Sequence, residues 1–321
     1  MQLNSIQVRE ALPWDRLIKA LDEIFTKNVC APVRHHHSIN VPNDPQATLL
    51  LMPAWLEGEY LGVKLVNVFP GNNARGLPGL NSSYMLSSGK TGAPLAQLDA
   101  NELTARRTAA ASALASTYLS REDSAELLMV GAGRMSRYLI PAHMSVRPIT
   151  KVRVWNRHEE AAAHLVAELK ADGIAAEVCP AALLQAGVEC ADIVSCATMS
   201  TEPLVCGDWL KPGAHLDLVG SFTPLMRETD NVAMQRSAVF VDVRAGALSE
   251  SGDLIIPIRD GVITEEIIHA EFAQLCGGKH KGRADLDDWQ NAITLFKSVG
   301  DAREDLAAAV LAYQQTVQSQ G

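Results

Sequence analysis

The clearest chemical signal in the sequence is a glycine turn, Gly131-Ala132-Gly133-Arg134-Met135-Ser136, directly after the apolar run LLMV. A helical stretch follows the turn, which is the context that a dinucleotide-binding motif requires. The first glycine permits a tight turn, and the second lets the backbone approach a pyrophosphate at the helix N-terminus. Ser136 replaces a third glycine, and its hydroxyl could reach a phosphate. The flanking elements favour dinucleotide binding over a bare turn, with predicted cofactor residues Gly131, Gly133, Arg134, Met135 and Ser136.

The end of the next strand-like run indicates which dinucleotide binds. NAD enzymes usually place Asp or Glu here to hold a ribose hydroxyl. This chain has Asn156 and Arg157 instead, one neutral and one cationic. An acid would repel a 2′-phosphate, whereas Arg157 would attract it. We therefore expect NADPH, with NADH possible; the alternative is that Arg157 only caps a loop.

Three cations in the first third of the chain are candidates for binding an anionic substrate: Arg34 in PVRHHH, Lys64 in LGVKLVNVFPG and Arg107 in LTARRTAAAS. Arg is the usual carboxylate ligand because its planar fork bonds both oxygens. Lys64 interrupts an apolar strand, so it lies either on the solvent face or beside a buried partner. Arg106 is expected to be an ordinary surface residue.

The sequence contains little that supports a metal site or a nucleophilic catalytic residue. His35, His36 and His37 would alternate faces on a strand and cannot converge on one ion, so we expect no metal site. There is no G-x-S-x-G motif, and no Cys or Ser has a patterned His partner. The six cysteines form no C-x-x-C pair. This usage predicts neither a zinc site nor a disulfide framework and favours a reducing cytoplasm.

Composition excludes several broad classes. The 321 residues are 47% hydrophobic and 20% charged, which rules out dominant disorder. A net charge of −9 disfavours nucleic acid as a partner. The one short basic cluster, Lys279 to Arg283, is expected to be a surface loop. No apolar run is long enough to span a membrane, and the first residues do not resemble a secretory signal. We expect a cytoplasmic protein without a membrane partner.

The elements that must position these residues fall into three blocks. Up to about Leu119, strand-like pieces separated by turns predict an α+β region with an antiparallel sheet, closed by an Ala-rich helix over 103–119. From about 125 to 300, apolar strands alternate with helices, which predicts an α/β, Rossmann-type parallel sheet. In this block the DLIIPIRDGVI region is counted among the strand-like runs. The last block, 301–318, reads as one helix with Asp301 as its N-cap.

Together these residues resemble the ornithine cyclodeaminase/mu-crystallin family over nearly the whole chain. The landmarks are PVR (32–34), LMP (51–53), GVKLVNVFPGN (62–72), LTARRTAAASALA (103–115), VGAGRMS (130–136), VWNR (154–157), ADIVSCAT (191–198), KPGAHLDLVGS (211–221) and LFKSVG (295–300). The resemblance implies an NAD(P)-dependent enzyme acting on small amino acids or cyclic imines. It also implies a homodimer, formed through a substrate-binding domain of residues 1–119 and 301–321 beside a dinucleotide domain of residues 120–300.

The resemblance also implies roles for individual residues. Arg34, Lys64 and Arg107 match the substrate-binding cations of the family, and Lys64 and Arg107 are the expected catalytic residues. Lys64 could anchor the carboxylate or relay a proton through water. Further positions match residues near the cofactor or lining the site: Thr108, Thr198, Val219, Gly220, Lys297 and Ser298.

One departure from the family pattern decides between its activities. Deaminating members carry a catalytic Asp in the segment matching 218–224, where this chain has Phe222. The stretch GSFTPLMRE looks like bacterial reductases of Δ1-pyrroline-2-carboxylate and Δ1-piperideine-2-carboxylate, which form L-proline and L-pipecolate. Reducing a preformed imine needs less proton handling than making one. This reductase is the expected function. The alternatives are ornithine cyclodeaminase or an alanine-dehydrogenase-like enzyme, with Asp217 or Glu228 as the acid, and more remotely a non-catalytic binding protein.

Overall fold

The computed structural model describes residues 1–320, without the side chains of Asn73, Ser319 and Gln320. Gly321, the last residue of the expected substrate-binding domain, lies outside the described residues. The chain forms two compact units. Unit 1 comprises Met1–Thr108 and the chain from Asp301 onward, and unit 2 comprises Ala109–Gly300. The division falls within one long helix.

In unit 1 most strands follow one another directly, whereas in unit 2 strands and helices mostly alternate. The strands are β1 (Gln2–Leu3), β2 (Val29–Cys30), β3 (His35–Ile39), β4 (Ala47–Leu56), β5 (Tyr60–Val68), β6 (Leu80–Ser88), β7 (Pro94–Asp99), β8 (Glu126–Val130), β9 (Lys151–Trp155), β10 (Ala176–Cys179), β11 (Ile193–Cys196), β12 (His215–Leu218), β13 (Ser237–Val241), β14 (Ile268–Glu271) and β15 (Ile293–Lys297). The helices are α1 (Ser5–Ala11), α2 (Trp14–Phe25), α3 (Ala100–Leu119), α4 (Ser136–Met144), α5 (Glu159–Ala171), α6 (Leu184–Cys190), α7 (Asn231–Arg236), α8 (Arg244–Glu250), α9 (Gly252–Arg259), α10 (Phe272–Cys276) and α11 (Ala302–Gln320).

Unit 1 is built on an antiparallel sheet in the order β1-β7-β6-β5-β4-β2, with β3 also paired to β4 and only β1–β7 parallel. Along β5, Gly62, Lys64 and Val66 are buried and alternate with partly exposed residues. Helix α11 packs on this sheet against β4, β5 and β6. Its alanines are small enough for the helix to approach the sheet closely, and Asp301 accepts a hydrogen bond from the Arg303 amide, as the expected N-cap would.

Unit 2 contains the predicted parallel sheet. Its order is β10-β9-β8-β11-β12-β15-β13-β14, and every neighbouring pair is parallel. Strands β11, β12 and β15 are buried at every residue, as expected when helices cover both faces of a sheet. The strand order reverses on either side of β8. Ligands of such sheets bind beyond the carboxyl ends of the strands at this reversal point, which is where the glycine turn lies.

Helix α9 and strands β14 and β15 of unit 2 differ from the sequence prediction. The DLIIPIR run was predicted as strand but forms helix α9, which places Leu254 and Pro257, three residues apart, in the interior. Periodicity does not separate a short buried helix from a buried strand, which explains the wrong prediction. Strands β14 and β15 were not predicted as strands, although β14 pairs with β13 and β15 pairs with both β12 and β13.

Two arginines expected at the surface are buried. Arg106 donates from Nε and Nη2 to the Leu12 carbonyl, at 2.9 and 2.6 Å, and stacks over the Trp14 ring. Arg283 belongs to the basic cluster assigned to a surface loop, yet it donates to the Leu119 carbonyl at 2.6 Å. Each guanidinium is buried because it satisfies backbone carbonyls that would otherwise lack donors.

The predictions from cysteine usage and hydropathy can also be compared with the structure. All six cysteines are free thiols. Among residues 1–320, no helix is long and apolar enough to cross a membrane. Within the same described residues, no group of histidines, cysteines and carboxylates is arranged to hold a metal ion.

Candidate active site

The glycine turn between β8 and α4 is fixed by its first glycine. Gly131 has φ +111°, a backbone conformation that side chains rarely allow. Its N–H donates to the Trp155 carbonyl at 2.8 Å, and a Cβ here would lie 2.7 Å from the Ala197 carbonyl oxygen. Residue 131 must therefore be glycine, because the turn is pressed between the ends of β9 and β11.

The second glycine of the turn, Gly133, leaves open space beside the backbone. Gly133 is exposed, and a Cβ built on it would meet no protein atom within 4 Å. Arg134 is exposed and Met135 partly exposed, at the start of α4. A phosphate group can therefore approach the backbone here and face the N-terminus of a nine-residue helix. The turn fits the pyrophosphate of a dinucleotide.

Ser136 has a different role from the one that the sequence suggested. It is fully buried, and its hydroxyl donates to the Gly131 carbonyl at 2.8 Å. The hydroxyl thus holds the turn closed and does not point toward a phosphate. Its small size still keeps α4 close to the sheet.

The residues after β9 leave a cation exposed. The Asn156 side chain donates to the His158 carbonyl at 3.0 Å, which closes the turn that precedes α5. Arg157 is exposed and forms no hydrogen bond or ion pair with any described residue. The loop-capping alternative for Arg157 has no contact to support it.

The remaining expected cofactor positions of unit 2 lie at the carboxyl ends of three adjacent strands. Thr198 follows β11, Val219 and Gly220 follow β12, Lys297 is the last residue of β15, and Ser298 follows it. Lys297 is fully buried and donates to the Leu218 carbonyl at 3.0 Å, with Asp253 at 3.9 Å. The Lys297 ammonium therefore points into unit 2. The partly exposed Thr108 belongs to unit 1, on α3.

In unit 1, the structure brings Lys64 and Arg107 together with two carboxylates of α11, and Arg34 lies near enough for its charge to act on Lys64. We call Arg34, Lys64, Arg107, Glu304 and Asp305 the ion cluster. Lys64 Nζ lies 2.6 Å from Asp305 Oδ2. Arg107 donates from Nε to Asp305 at 2.8 Å and from Nη1 to Glu304 at 2.5 Å. Lys64 is thus buried beside a partner, which decides the alternative that the sequence left open.

The ion cluster shifts the ionisation of its members. Burial lowers the pKa of Lys64 to about 8, and the charges of Arg107 and Arg34 act in the same direction. The carboxylate of Asp305 opposes this shift but does not cancel it. Burial also disfavours the charged form of Arg107, yet Asp305 and Glu304 outweigh it and raise the Arg107 pKa. Lys64 can therefore change charge near neutral pH.

Tyr84 is a neighbour of this cluster that sequence reasoning missed. It pairs with Lys64 across β5 and β6, and its hydroxyl is buried without a hydrogen-bond partner among the described residues. Burial first, and then the charge of Asp305, raise the Tyr84 pKa well above its ordinary value. A Cβ at Gly62 would lie 1.9 Å from the Tyr84 hydroxyl oxygen. The absence of a side chain at Gly62 therefore leaves room for the Tyr84 ring.

The segment after β12 contains no exposed acid at the expected position. Phe222 is 48% exposed there. Asp217 is fully buried and accepts hydrogen bonds from Ser112 and Ser195, with His143 at 3.2 Å. Burial raises the Asp217 pKa, but His143 and Ser195 outweigh it, so the pKa is lowered. Asp217 is therefore a carboxylate of the unit 2 interior.

Comparisons with known proteins agree with these features. The model of the ornithine cyclodeaminase/mu-crystallin family matches residues 1–320. An uncharacterized protein of Schizosaccharomyces pombe is 53% identical over 318 residues, covering 97% of this chain and 96% of the relative.

Two solved structures are similar over the whole chain. Thermococcus litoralis Δ1-pyrroline-2-carboxylate reductase in complex with NADH and L-proline is 36% identical, with a TM-score of 0.89, and covers 100% of this chain and 98% of that one. An archaeal alanine dehydrogenase dimer with bound NAD is 29% identical, with a TM-score of 0.88, and covers 100% and 97%. From the family match and these similarities we conclude that this chain belongs to the ornithine cyclodeaminase/mu-crystallin family.

Proposed function

We propose that the protein is an NAD(P)H-dependent reductase of cyclic ketimines, converting Δ1-pyrroline-2-carboxylate to L-proline and Δ1-piperideine-2-carboxylate to L-pipecolate. The observation that carries the proposal is the ion cluster of unit 1, with a dinucleotide turn in the same chain. The similarity to a reductase in complex with NADH and L-proline supports it.

The charge of the ion cluster suits a small carboxylate. Lys64 and Arg107 are buried cations beside Asp305 and Glu304, and the charge of Arg34 also acts on Lys64. An incoming carboxylate would meet cations that are already in place. Asp305 and Glu304 hold Lys64 and Arg107 in place before substrate arrives, so little side-chain ordering remains to be done on binding.

Lys64 is the proposed proton-handling residue. With a pKa of about 8, it is an ammonium in most molecules at neutral pH and can still give up its proton. Arg107 stays charged and is proposed to orient the substrate carboxylate. A reduced nicotinamide supplies the hydride when it is bound. An iminium carbon accepts hydride readily, so this chain has chiefly to bind, orient and protonate.

The cofactor preference is proposed to be NADPH over NADH. Arg157 stands where a ribose-binding acid would exclude a 2′-phosphate, and it is exposed with no described ion-pair partner. NADH remains a usable cofactor because the turn at Gly131 and Gly133 takes the pyrophosphate that both dinucleotides share.

We also propose a homodimer formed through the outer face of the unit 1 sheet. Many side chains of β4, β5 and β6 that point away from Lys64 are apolar and partly or largely exposed: Leu51, Pro53, Trp55, Leu61, Val63, Leu65 and Met85. Asn67, Ser83 and Ser87 on this face are polar. A contiguous apolar sheet face is typical of an interface. The similarity to an alanine dehydrogenase dimer favours a second copy of the chain as its occupant.

Val63→Glu would test this dimer by light scattering, since a charge in the middle of the face should yield monomers. Arg75→Glu, on the short helical turn after β5, is the control and should stay dimeric. A dimeric Val63→Glu variant would exclude this face. A cytoplasmic location is proposed as well, in keeping with the six free thiols.

The test of the function is a comparison of two activities of the wild-type enzyme. Oxidation of NADPH should depend on an added cyclic ketimine, whereas L-ornithine with NAD should release no ammonia. The reason is that exposed Phe222 replaces the acid of deaminating members, while Asp217 is bonded inside unit 2. Ammonia release at a rate comparable to imine reduction would overturn the reductase assignment. Binding of NADPH without either activity would favour a non-catalytic binding protein.

A further inference from the structure

Glu228 is a buried carboxylate that joins two strand ends in unit 2. It follows β12 in the chain and is fully buried. Its Oε1 accepts hydrogen bonds from the Thr198 amide at 2.7 Å and the Thr198 hydroxyl at 2.8 Å. Its Oε2 accepts from the Gly220 amide at 2.8 Å. One side chain thus ties the segment after β11 to the segment after β12.

The two segments are packed closely enough to need this link. A Cβ at Gly220 would lie 2.1 Å from the Thr198 carbonyl oxygen and 2.4 Å from Glu228 Oε1. The backbone of Glu228 is itself hydrogen-bonded on both sides of its Cα. Its N–H donates to Asp253 Oδ1 at 2.8 Å, and its carbonyl accepts from the Leu204 amide at 2.9 Å.

We propose that Glu228 is a positioning residue of the cofactor site, whose carboxylate holds the Thr198 and Gly220 backbone in the arrangement that receives the dinucleotide. This inference rests on the proposed function, because Thr198 and Gly220 are taken as cofactor-lining positions. It gives Glu228 a role distinct from proton transfer to substrate. Every bond of its carboxylate goes to the protein segments that it aligns.

The ionised form of Glu228 is the one that fits. Amide N–H donors approach both of its oxygens, and a protonated carboxyl or a Gln amide would direct a hydrogen at one of them. The charged and titratable groups facing Glu228 are Lys297 on β15, Asp253 on α9 and Cys196 on β11. Burial and Asp253 raise the Glu228 pKa to about 7, against the opposing charge of Lys297. The link therefore weakens as the pH falls through neutrality.

The experiment compares NADPH binding by the wild type and Glu228→Gln, using the fluorescence of the bound cofactor, at about pH 8.5 and about pH 6. The Kd of the variant should exceed that of the wild type by about tenfold at the higher pH, where a bond to a charged group is lost. The ratio of the variant Kd to the wild-type Kd should approach one at the lower pH, because protonated Glu228 resembles Gln. Taking the ratio cancels the titration of the cofactor phosphate.

Asp192→Asn is the matched control. Asp192 also bridges two backbone amides, those of Ala125 and Glu126 at 2.8 and 2.9 Å, but at the amino edge of the same sheet. Its NADPH Kd should stay within about twofold of the wild type at both pH values. A Glu228→Gln ratio below about twofold at the higher pH, or one that does not change with pH, would overturn the proposal.

Asp253→Asn keeps the test decisive if Glu228→Gln does not fold. An Asn oxygen can still accept from the Glu228 amide, but the neighbouring negative charge is gone, which lowers the Glu228 pKa. This variant should bind NADPH more tightly than the wild type near pH 6 and equally at high pH; equal affinity at both would contradict the proposal. A wild type that binds no dinucleotide at all would instead contradict the proposed function.

Discussion

The glycine turn of unit 2 and the ion cluster of unit 1 are constructed in opposite ways. The turn depends on backbone shape: Gly131 has a positive φ, and the Ser136 hydroxyl closes onto the Gly131 carbonyl. The ion cluster depends on side-chain charge, because Lys64 and Arg107 are buried against Asp305 and Glu304. A ligand phosphate can thus meet backbone donors, whereas a substrate carboxylate meets charges that the protein has already partly neutralised.

If this contrast holds, Asp305→Asn should have the largest effect on stability. The change leaves the buried Lys64 and Arg107 charges with one carboxylate fewer, which costs about 3–5 kcal/mol when a buried pair is broken. Chemical denaturation would measure the loss. Asp123→Asn removes an exposed carboxylate from the partly exposed Arg121 and should change the free energy of unfolding little. Equal losses in both variants would show that burial does not set the strength of the ion cluster.

The glycine turn should separate stability from cofactor binding. Gly131→Ala forces a positive φ on alanine and meets the Ala197 carbonyl, so we expect a loss of about 2–4 kcal/mol. Gly133→Ala meets no protein atom, so the free energy of unfolding should stay within about 0.5 kcal/mol of the wild type. NADPH affinity should nevertheless fall by about tenfold, because the new methyl occupies the path of the pyrophosphate. A Gly133→Ala enzyme with unchanged NADPH affinity would place the phosphates elsewhere.

A side-chain contribution to the otherwise backbone-built cofactor site is expected at Arg157. Arg157→Ala should raise the KM for NADPH by about one to two decades while changing that for NADH little, since a charge-assisted phosphate contact contributes about 1.5–3 kcal/mol. Steady-state kinetics with both cofactors would measure the difference. The exposed Arg137→Ala, on α4, serves as the control. Equal changes for NADPH and NADH would mean that Arg157 does not contact the 2′-phosphate.

Titration of Lys64 should sharpen the comparison further. Because its pKa is about 8, kcat/KM for imine should decline above that pH, by about tenfold per unit at most. The contribution of Lys64 to the free energy of unfolding should change in the opposite direction, rising with pH. Between about 8 and the ordinary Lys value of 10.5, the unfolded chain binds more protons, so this group stabilises the fold as the pH rises. Lys64→Arg keeps its charge and should lose the decline; a wild-type profile that is flat to pH 10 would contradict the role of Lys64.

The sequence predicted the glycine turn more completely than the ion cluster. The glycine turn was predicted because its strand, glycines and helix are contiguous, and the parallel sheet was predicted from apolar runs. The ion cluster was predicted only on its cationic side. Glu304 and Asp305 lie 197 and 198 residues after Arg107, and nothing local marks them as its partners. Glu304 and Asp305 lie in the first turn of a helix, where acidic residues commonly occur because they stabilise the helix N-terminus.

The other misses have similar causes. Arg106 and Arg107 are neighbours of the same type, and the backbone carbonyl that binds Arg106 belongs to Leu12, far away in the chain. Glu228 was named only as an alternative acid, because it lies in an irregular segment whose hydrogen bonds to Thr198 and Gly220 no periodicity reveals. The run that forms α9 is short and apolar, so packing decided its conformation.

Recognition of a substrate carboxylate is the central claim, and removing that carboxylate tests it most directly. The measurement is kcat/KM of the wild-type enzyme for Δ1-pyrroline-2-carboxylate and for the same ring without the carboxylate, under identical NADPH. The account predicts that the ring without its carboxylate is reduced at least about a hundredfold less efficiently, because it has no carboxylate for the Arg107 guanidinium and the Lys64 ammonium to bind. Efficiencies within about threefold of each other would contradict it.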